Sequence, residues 1–560
     1  MRKTRKGVAI LGGGIGGMSA AHELAQRGFE VTVFEAGSVP GGKARSIFIP
    51  GTGTEGRRDL PGEHGFRFFP SFYKHLPDTM KRIPYGRRTV YDNLVPTTRT
   101  MIARENGVDL EVPTRFPTTI DDIRDLLRLR STDFTLSMDE YRFIAQRLWV
   151  VLTSCKERRR EEYDNIPWWQ FVEADQRSPE FQYVMGEIGV RFLLAMNARK
   201  ASTKTIGDIG IQLYFDHLKP GVHVDRLLNG PTHDVWLGPW LAHLRQMGVD
   251  YRFNSKVEHI RCQNDRIVEV TICDGSGERY TFAEEYFVSA LPVERMIPLV
   301  TDEMKESEPR LSHLDQLQTD WMLGLQFFLD VDITLTNGHV LITDCPWAVT
   351  AVSQKQFWPE VDLSRFGNGK VDGILSVDVS NWESPGKRCS KTARDCTKEE
   401  LIAEVWEELK AHLNDTGEVH LEDHNVIHAE LADSCRRCGD KWINQEPLLV
   451  NTAGTWKLRP PAVTNIHNLF LASDYVQSNT DIASMEAANE AARVAVNGIL
   501  DASGSNASKC KVWELEEPIV FEPFKMMDRE LFKRGYPHPF YNSGLKRPEN
   551  FKNRRPLDWF

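Results

Sequence analysis

Long uncharged apolar runs are missing from this 560-residue sequence, which argues against a transmembrane helix. The mean hydropathy is −0.40, and hydrophobic and charged residues make up 41% and 26% of the chain. These fractions are typical of a globular protein, and the length predicts two or three domains. An excess of positive charge is missing too. The net charge of −10 argues against a general nucleic-acid binder, so we expect no nucleic-acid partner.

Several catalytic signatures are also absent. The sequence has no GxSxG, HExxH or Walker pattern, so hydrolase and ATPase functions are not predicted. Nine cysteines, an odd number spread along the chain, indicate reduced thiols and not a disulfide framework. Cys435 and Cys438 have redox or zinc spacing, but no second pair follows at zinc-ribbon distance. We expect a structural or accidental role for them.

The sequence predicts neither a metal site nor a signal peptide. His420, His424 and His428 recur every four residues, but the segment suits a strand as well as a helix, so we predict no metal site. Residues 1–6 are basic like the start of a signal peptide, yet the apolar stretch after them leads into glycines without a cleavage-site pattern. We therefore expect a cytoplasmic protein.

A nucleotide-binding unit is predicted at the start of the chain. The aliphatic run Gly7–Leu11 indicates a buried parallel strand, and it leads through a glycine-rich turn into a helix that Gly28 ends. A second strand follows and ends at Glu35. In this pattern Gly12 permits the tight turn, Gly14 lets the backbone approach a pyrophosphate, and Gly17 lets helix and strand pack closely. Glu35 is then placed to accept hydrogen bonds from a ribose.

A second stretch fits the same expression and serves as a warning. Residues 51–56 also read GxGxxG, but Arg57-Arg58-Asp59-Leu60-Pro61 follows them, and no helix can begin there. We predict that this second match is a loop.

The residues after Glu35 decide which dinucleotide is expected. A glycine pair, Gly41 and Gly42, precedes Lys43 and Arg45, whose charges can neutralise phosphate; a solvated surface turn is the alternative. This stretch resembles the flavoprotein extension of the amine oxidase and carotene desaturase superfamily. The resemblance implies FAD.

The far end of the chain resembles the C-terminal flavin motif of the same superfamily. A buried strand ends at Asp474, and an alanine-rich helix follows, with Ser484 and Met485 near its start. Ser473 and Ala487 depart from the usual pattern, in which glycine is common at both positions, but both replacements are small. Of three strands predicted between residues 251 and 292, the first passes the adenine near Val257 by this resemblance. The complete expected set is Gly12, Gly14, Ile15, Gly16, Gly17, Glu35, Ala36, Gly42, Lys43, Ala44, Arg45, Val257, Asp474, Ser484 and Met485.

Three further segments resemble plant-type phytoene and zeta-carotene desaturases and squalene-associated FAD-dependent desaturases. They are residues 62–76, 230–248 and 454–460. The resemblance covers most of 7–100, 225–300 and 440–500. It implies an α/β fold, in which a Rossmann-like FAD-binding domain is interleaved with an α+β substrate domain. We expect cofactor segments at 1–110, 229–300 and 441–503, a helical substrate part at 111–228, a substrate sheet at 301–440 and a tail at 504–560.

The helical substrate part is rich in aromatic residues. Residues 138–152 form an amphipathic helix pattern, residues 156–162 are highly charged, and Trp168, Trp169 and Phe171 follow. These aromatics either line a lipid tunnel or dock on a membrane surface. The alternative is a helical core followed by a solvated charged turn. The tail wraps the domains or reaches a partner, and the sequence does not distinguish the two.

The resemblance implies hydride removal from an allylic C–H of an apolar polyene or isoprenoid onto the flavin, with oxygen or a quinone as electron acceptor. His64 and Arg67 are the candidates for proton acceptor and charge stabiliser, although His64 is equally consistent with a hydrogen-bonded loop histidine. Trp456 and Tyr73 are candidates for a wall of the site. Three alternatives stay open: amine or amino-acid oxidation, a flavin-bound isomerase or dehydratase without net redox change, and a scaffold without catalysis.

Overall fold

The computed structural model describes residues 6–63, 68–119, 122, 136–192, 196–415, 419–439 and 441–541. A five-stranded parallel sheet, here the cofactor sheet, holds the strands that the sequence assigned to nucleotide binding. Its strands, in spatial order, are Asp250–Arg252, Glu30–Phe34, Gly7–Leu11, Tyr286–Ser289 and Leu469–Leu471. The sheet therefore joins segments more than 450 residues apart, as the predicted interleaving requires.

Two long helices pack on each other beside this sheet. They are Ile15–Gln26, which follows the first strand, and Met485–Ser503, which follows the last. Small residues make the close approach possible: Gly16 faces the carbonyl of Ala472, and a methyl group on Gly16 would overlap that oxygen. An antiparallel three-stranded meander lies beside the sheet, formed by Lys256–Gln263, Arg266–Cys273 and Arg279–Phe282.

A second sheet of seven strands forms the floor of the other domain. Its order is Val426–Leu431, Leu323–Leu329, Gly373–Val379, Val349–Ser353, Val340–Ile342, Arg99–Ala103 and Leu110–Pro113. Helix Lys398–Leu413 buries Leu401, Val405 and Leu409 in the same core. Most strands come from the predicted segment 301–440. The last two, however, belong to segments that we assigned to the cofactor and helical parts, so the chain crosses to the second sheet before residue 110.

The helical part has a core of its own. Its helices are Met138–Thr153, Lys156–Glu161, Trp168–Phe171, Pro179–Gln182 and Thr203–His217, with a wider π-helical stretch at Tyr183–Phe192. Trp168, Trp169 and Phe171 are buried in this core. These three aromatics therefore do not form a docking surface, because they pack among the helices.

The tail wraps the molecule. The residues that follow helix Met485–Ser503 first contact the cofactor domain, where the backbone nitrogen of Trp513 donates to the His75 ring. They then form a helix, Glu522–Lys533, against the helical part. There Asp528 accepts hydrogen bonds from buried Arg158 at 2.9 Å and from the Cys155 nitrogen. Residues Lys156–Glu161 thus form a helix with buried Arg158 and Arg159. Of the alternative interpretation, the helical core is correct, but the charged segment is not a solvated turn, because the tail supplies Asp528 and Glu517 as partners for these arginines.

Shorter elements connect these layers. The strands are Ser46–Ile49, Leu60–Glu63, Pro84–Tyr85, Arg88–Thr89, Leu94–Pro96, Arg226–Leu228, Gln318–Asp320, Cys435–Cys438, Lys441–Asn444 and Leu448–Val450. The helices are His75–Met80, Gly238–Gln246, Val293–Met296 and Asp302–Ser307. Residues 51–56 lie in the turn between two of these strands, which confirms that the second glycine pattern is a loop. Among the described residues, no helix has the length and apolarity needed to cross a bilayer.

Candidate cofactor-binding site

The glycine turn forms a cradle at the carboxyl end of the first strand. Gly12 has a φ of +102°, which is the left-handed conformation that its tight turn demands. Gly17 faces the Gly12 carbonyl so closely that a methyl group would overlap it. A methyl group at Gly14 would meet nothing nearer than the Gly42 Cα at 3.8 Å. The cradle is therefore tight on its protein side and open above Gly14.

The helix that begins at Ile15 offers its first N–H groups to this opening. Gly14 precedes the helix, and no side chain caps it. Uncapped N–H groups and the positive end of the helix dipole are the features that bind phosphate. A diphosphate therefore fits this cradle, and Gly14, Ile15, Gly16 and Gly17 would hold it.

Glu35 lies beside the cradle with its carboxylate fixed. It accepts hydrogen bonds from the Gly13 nitrogen at 2.7 Å and the Gly37 nitrogen at 2.6 Å. Burial raises the pKa of Glu35 above its ordinary value, and these bonds oppose the shift. The Glu35 carbonyl accepts from the Ser255 nitrogen, two residues before Val257. The structure therefore brings the predicted ribose acid and adenine strand together, with Ala36 exposed in the next turn.

The second glycine pair packs against the cradle. The Gly41 nitrogen donates to the Gly13 carbonyl at 3.0 Å, and Gly41 and Gly42 both have positive φ. Buried Ala44 and half-buried Gly42 follow the same turn. Backbone of the two glycine segments thus lines a single opening.

The two cations after this pair contact protein carboxylates. Lys43 lies 2.8 Å from Glu294, and Arg45 binds both Glu446 oxygens at 2.7 Å and also pairs with Asp433. The expected neutralisation of phosphate by Lys43 or Arg45 stays a prediction. In this structure their positive charges are already balanced, and Arg45 ties the cofactor domain to the segment beside the Cys435–Cys438 strand.

The C-terminal flavin segment reaches the same region through the paired helices. Ser484 caps helix Met485–Ser503 by accepting from the Ala487 nitrogen at 3.2 Å. Ala487 is fully buried, so a small residue suffices where glycine was expected. Buried Arg459 donates to the backbone carbonyls of Asp474, Tyr475 and Val476, which fixes the turn after the last cofactor strand.

Glu486 connects this helix to the aromatic segment near residue 70. Its carboxylate accepts from the backbone nitrogens of Lys74, His75 and Leu76 at 2.6–2.8 Å, and from the His75 ring. Tyr73 is buried beside it, and burial together with the Glu486 charge raises the Tyr73 pKa. The local sequence does not indicate that Glu486 caps helix His75–Met80, although Glu486 directly follows the predicted cofactor contacts Ser484 and Met485.

Of the three candidates for catalysis, His64, Arg67 and Trp456, the structure describes Trp456. His64 and Arg67 lie outside the described residues. Trp456 lies 4.3 Å, measured to the ring centroid, from the Lys204 ammonium, and its backbone nitrogen donates to Asp164 at 3.1 Å. The Trp456 ring therefore borders a charged cluster and not an apolar wall.

That charged cluster, here the Asp481 cluster, joins the helical part to the cofactor domain. Buried Asp481 pairs with Lys204 and with Arg459, the latter at 2.5 Å. Burial disfavours the charged form of Lys204, but Asp481 and Asp208 outweigh it and raise its pKa. Burial, and then the charge of Asp481, raise the pKa of Asp164 to about 6. The local sequence shows only the i,i+4 pair of Lys204 with Asp208. Asp481, the other partner of Lys204, and Trp456, which donates to Asp164, lie more than 270 residues away in sequence.

A cavity of about 260 Å³ lies between the Ser46–Glu63 hairpin and the second sheet. Its lining includes apolar Phe48 and Leu431 and the charged side chains of Arg45, Glu63 and Glu430. This volume is below the range of about 300–1,000 Å³ that is typical of ligand pockets. Its place next to Arg45 puts it beside the cofactor opening.

The remaining sequence candidates show no site. Cys435 and Cys438 lie on a hairpin strand, and all nine cysteines are free thiols. His428 lies on a strand while His424 lies in the turn before it, so the three histidines do not share a helix face. In the described ranges, no group of three His, Cys, Asp or Glu side chains is arranged to hold a metal.

The family of this chain is shown by a match to a protein-family model. The model for flavin containing amine oxidoreductases matches residues 15–500. The chain belongs to the flavin-containing amine oxidoreductase family. It is therefore an oxidoreductase enzyme, and the predicted flavin cofactor is confirmed. The open glycine cradle and the acid at Glu35 fit the adenine dinucleotide form, FAD.

Curated relatives resemble the chain at low identity. The 15-cis-phytoene desaturase of Synechococcus elongatus is 22% identical over 510 residues, which cover 88% of this chain and 95% of that protein. The carotenoid phi-ring synthase of Chlorobaculum tepidum is 44% identical over 71 residues, but these cover only 12% of this chain and 10% of that protein. The predicted resemblance to carotene desaturases is confirmed.

Solved structures match most of the architecture. Cyclohexylamine oxidase from Brevibacterium oxydans has a TM-score of 0.60 at 13% identity and covers 89% of this chain and 100% of its own. Putrescine oxidase has a TM-score of 0.59 at 13% identity, with 89% and 99% covered. At such identities the likeness shows the fold alone, and it confirms the Rossmann-like flavoprotein architecture.

Proposed function

We propose that the chain is an FAD-dependent desaturase of an apolar polyene or isoprenoid. The observation that carries the proposal is the match to a phytoene desaturase along 88% of this chain and 95% of that relative. A hydroxyneurosporene desaturase of Rhodobacter capsulatus adds a short match, 52% identical over 44 residues. Both relatives are named as desaturases. The family match over residues 15–500 includes the first helix residues of the cradle and the C-terminal flavin segment.

The reaction removes two hydrogens from neighbouring carbons. One C–H bond loses a hydride, the adjacent C–H loses a proton, and a C=C double bond forms between the two carbons. When bound, FAD supplies the hydride acceptor. The two electrons then leave to oxygen or a quinone, which we propose as the acceptors.

The protein's own residues contribute orientation and charge. The uncapped N-terminus of helix Ile15–Gln26 borders the cradle where a diphosphate would lie. By the family resemblance, the N-terminus at Met485 would face the flavin, where its positive dipole end would stabilise negative charge. The partly apolar cavity beside Arg45 supports entry of one end of an elongated substrate at this edge. We propose His64 as the proton acceptor and Arg67 as the stabiliser of negative charge. The protein then works chiefly by excluding water and aligning one C–H bond.

The test is anaerobic reduction of the bound flavin by candidate substrates. Polyenes in detergent micelles should bleach the flavin absorbance at about 450 nm, and chromatography of the product should show additional conjugated double bonds. Primary amines, offered at equal concentration, should leave the flavin oxidised. Bleaching by amines, with peroxide released in air, would assign the chain to the amine-oxidising branch. A polyene product formed while the flavin stays oxidised throughout would indicate isomerisation.

A matched control is provided by Gly14→Ala, which is designed to keep the fold and weaken the cofactor site. Product formation in that variant without added FAD should fall in proportion to its flavin content. Product formation that is independent of flavin content would refute a flavin reaction. We also propose a cytoplasmic location, which fractionation of the native cell would test.

A further inference from the structure

Two cysteines of the second-sheet domain bring their sulfur atoms together. Cys389 lies in a turn of the loop after strand Gly373–Val379, and Cys396 lies just before Thr397, which caps helix Lys398–Leu413. The two Sγ atoms are 3.7 Å apart. A disulfide bond is about 2.05 Å long, so these sulfurs need to approach by about 1.7 Å to form one. The two thiols therefore form a pair.

The backbones that carry the pair are fixed independently of the sulfur atoms. Glu404, on helix Lys398–Leu413, accepts a hydrogen bond from the Cys389 backbone nitrogen at 2.8 Å. The backbone carbonyl of Cys396 accepts one from the Trp442 ring nitrogen at 2.8 Å. Neither hydrogen bond uses a sulfur atom, so a bond between the sulfurs removes neither of them. The loop thus holds the two thiols side by side in the reduced protein.

The two thiols differ in their access to solvent. Cys389 is half-buried, whereas the Cys396 side chain is only 1% exposed. Burial, followed by the hydrogen bond with Cys389, raises the pKa of the Cys396 thiol. The thiolate is the reactive form of cysteine, and small polar oxidants reach exposed sulfur first. Cys389 is therefore the thiol that meets a soluble oxidant, and Cys396 is the one that follows.

Metal binding is the other chemistry that paired thiols serve. Structural zinc takes four ligands. Within the part of the chain that the structure describes, no three His, Cys, Asp or Glu side chains are grouped to hold a metal. The surroundings of the pair therefore favour redox chemistry over a zinc site. Cys435 is buried in the same core and is the competing disulfide partner that an experiment has to exclude.

We propose that Cys389 and Cys396 form a redox-active dithiol that hydrogen peroxide converts into a disulfide. The Cys389 thiolate attacks one oxygen of the peroxide, the O–O bond breaks, and a sulfenic acid and hydroxide form. The Cys396 sulfur then attacks the Cys389 sulfur, so that the S–S bond forms as the S–O bond breaks. The two thiols lose two electrons, which the peroxide accepts, and their two protons leave in two molecules of water.

Peptide mapping of the full-length flavoprotein tests this assignment. Trypsin cleaves after Lys391 and Arg394, between the two cysteines, so a disulfide has to join peptide 389–391 to peptide 395–398. After one equivalent of hydrogen peroxide and alkylation of the remaining thiols, mass spectrometry should show this linked pair. Dithiothreitol should abolish it. The flavin absorbance at about 450 nm should not change, because the electrons pass to peroxide.

Single variants test the order of the two steps. Cys396→Ser should lose the linked peptide and keep a sulfenic acid on Cys389, which the probe dimedone labels. Cys389→Ser should lose the linked peptide and show no such label on Cys396, because that thiol is buried. The matched control is Cys273→Ser. Cys273 is a partly exposed cysteine at the end of a meander strand, so its loss should leave the linked peptide unchanged.

Three results would overturn the proposal. The first is a peroxide-treated protein in which Cys389 and Cys396 are both still alkylated. The second is a disulfide that joins Cys396 to Cys435, or dimedone on Cys396 in the Cys389→Ser variant. The third is bleaching of the flavin while the disulfide forms, which would make the flavin the oxidant. No substrate is turned over in these experiments, so the dithiol can fail while polyene desaturation stands, and the reverse is equally visible.

Discussion

Replacement of Gly14 by alanine separates cofactor binding from folding. Gly14 has φ −72° and ψ −173°, values that alanine adopts without strain. The added methyl would meet the Gly42 Cα at 3.8 Å, an ordinary contact. The apo-protein should therefore unfold at the same denaturant concentration as the parent, or be stabilised by about 0.4–1 kcal/mol because alanine restricts the unfolded chain.

Cofactor affinity should respond differently. The methyl occupies the space through which a diphosphate approaches the backbone, and a lost charge-assisted hydrogen bond costs about 1.5–3 kcal/mol. Since about 1.4 kcal/mol is a factor of ten, the dissociation constant for FAD should rise by about ten- to a hundredfold. Titration of the apo-protein with FAD, followed by flavin fluorescence, measures this constant.

Alanine variants of two other glycines serve as comparisons for Gly14→Ala. Gly17→Ala should lower stability as well as affinity, by about 1–3 kcal/mol, because its methyl overlaps the Gly12 carbonyl. Gly210→Ala lies in a helix with nothing within 4 Å of the new methyl. It should leave FAD binding unchanged and add up to about 1 kcal/mol of stability. If Gly14→Ala binds FAD as tightly as Gly210→Ala does, the diphosphate does not lie over Gly14 and the reasoning is refuted.

Three other outcomes are expected. Because the folded-state pKa of Asp164 is raised to about 6, the stability that its protonation provides is lost as the pH rises from about 4 to about 6. In the Asp164→Asn variant, the free energy of unfolding in urea should therefore change less with pH across that range. An equal pH dependence in parent and variant would contradict the raised pKa. Asp528→Ala should cost on the order of 3 kcal/mol in urea unfolding and expose the tail to protease, since it leaves Arg158 buried without one of its carboxylates. The control is Asp501→Ala, which removes an exposed ion pair with Lys509 and should lower the free energy of unfolding by no more than about 1 kcal/mol. Glu35→Gln should weaken FAD binding by about tenfold through loss of the ribose acceptor, and an unchanged constant would remove Glu35 from the site.

The sequence by itself determined the nucleotide-binding unit. A strand, a glycine turn, a helix and an acid are consecutive in the chain, and their geometry follows from short-range rules about glycine φ angles and apolar periodicity. Gly12 has the positive φ that the pattern required. Helix Ile15–Gln26 begins inside the glycine-rich stretch, with Gly16 and Gly17 in its first turn. The remote C-terminal segment was also predictable, because its strand and alanine-rich helix form a recognisable local pattern of their own.

Only the tertiary structure decided which partners the charged and aromatic residues have. Arg45 binds Glu446, which is 401 residues away, a partner that its local sequence does not indicate. The charged segment 156–162 looked solvated, yet the tail buries Arg158, and Trp168 fills a core instead of facing lipid. The physical reason is common to all of these cases. The free energy of an ion pair or an apolar contact depends on what lies across the interface, and that partner is absent from the local sequence.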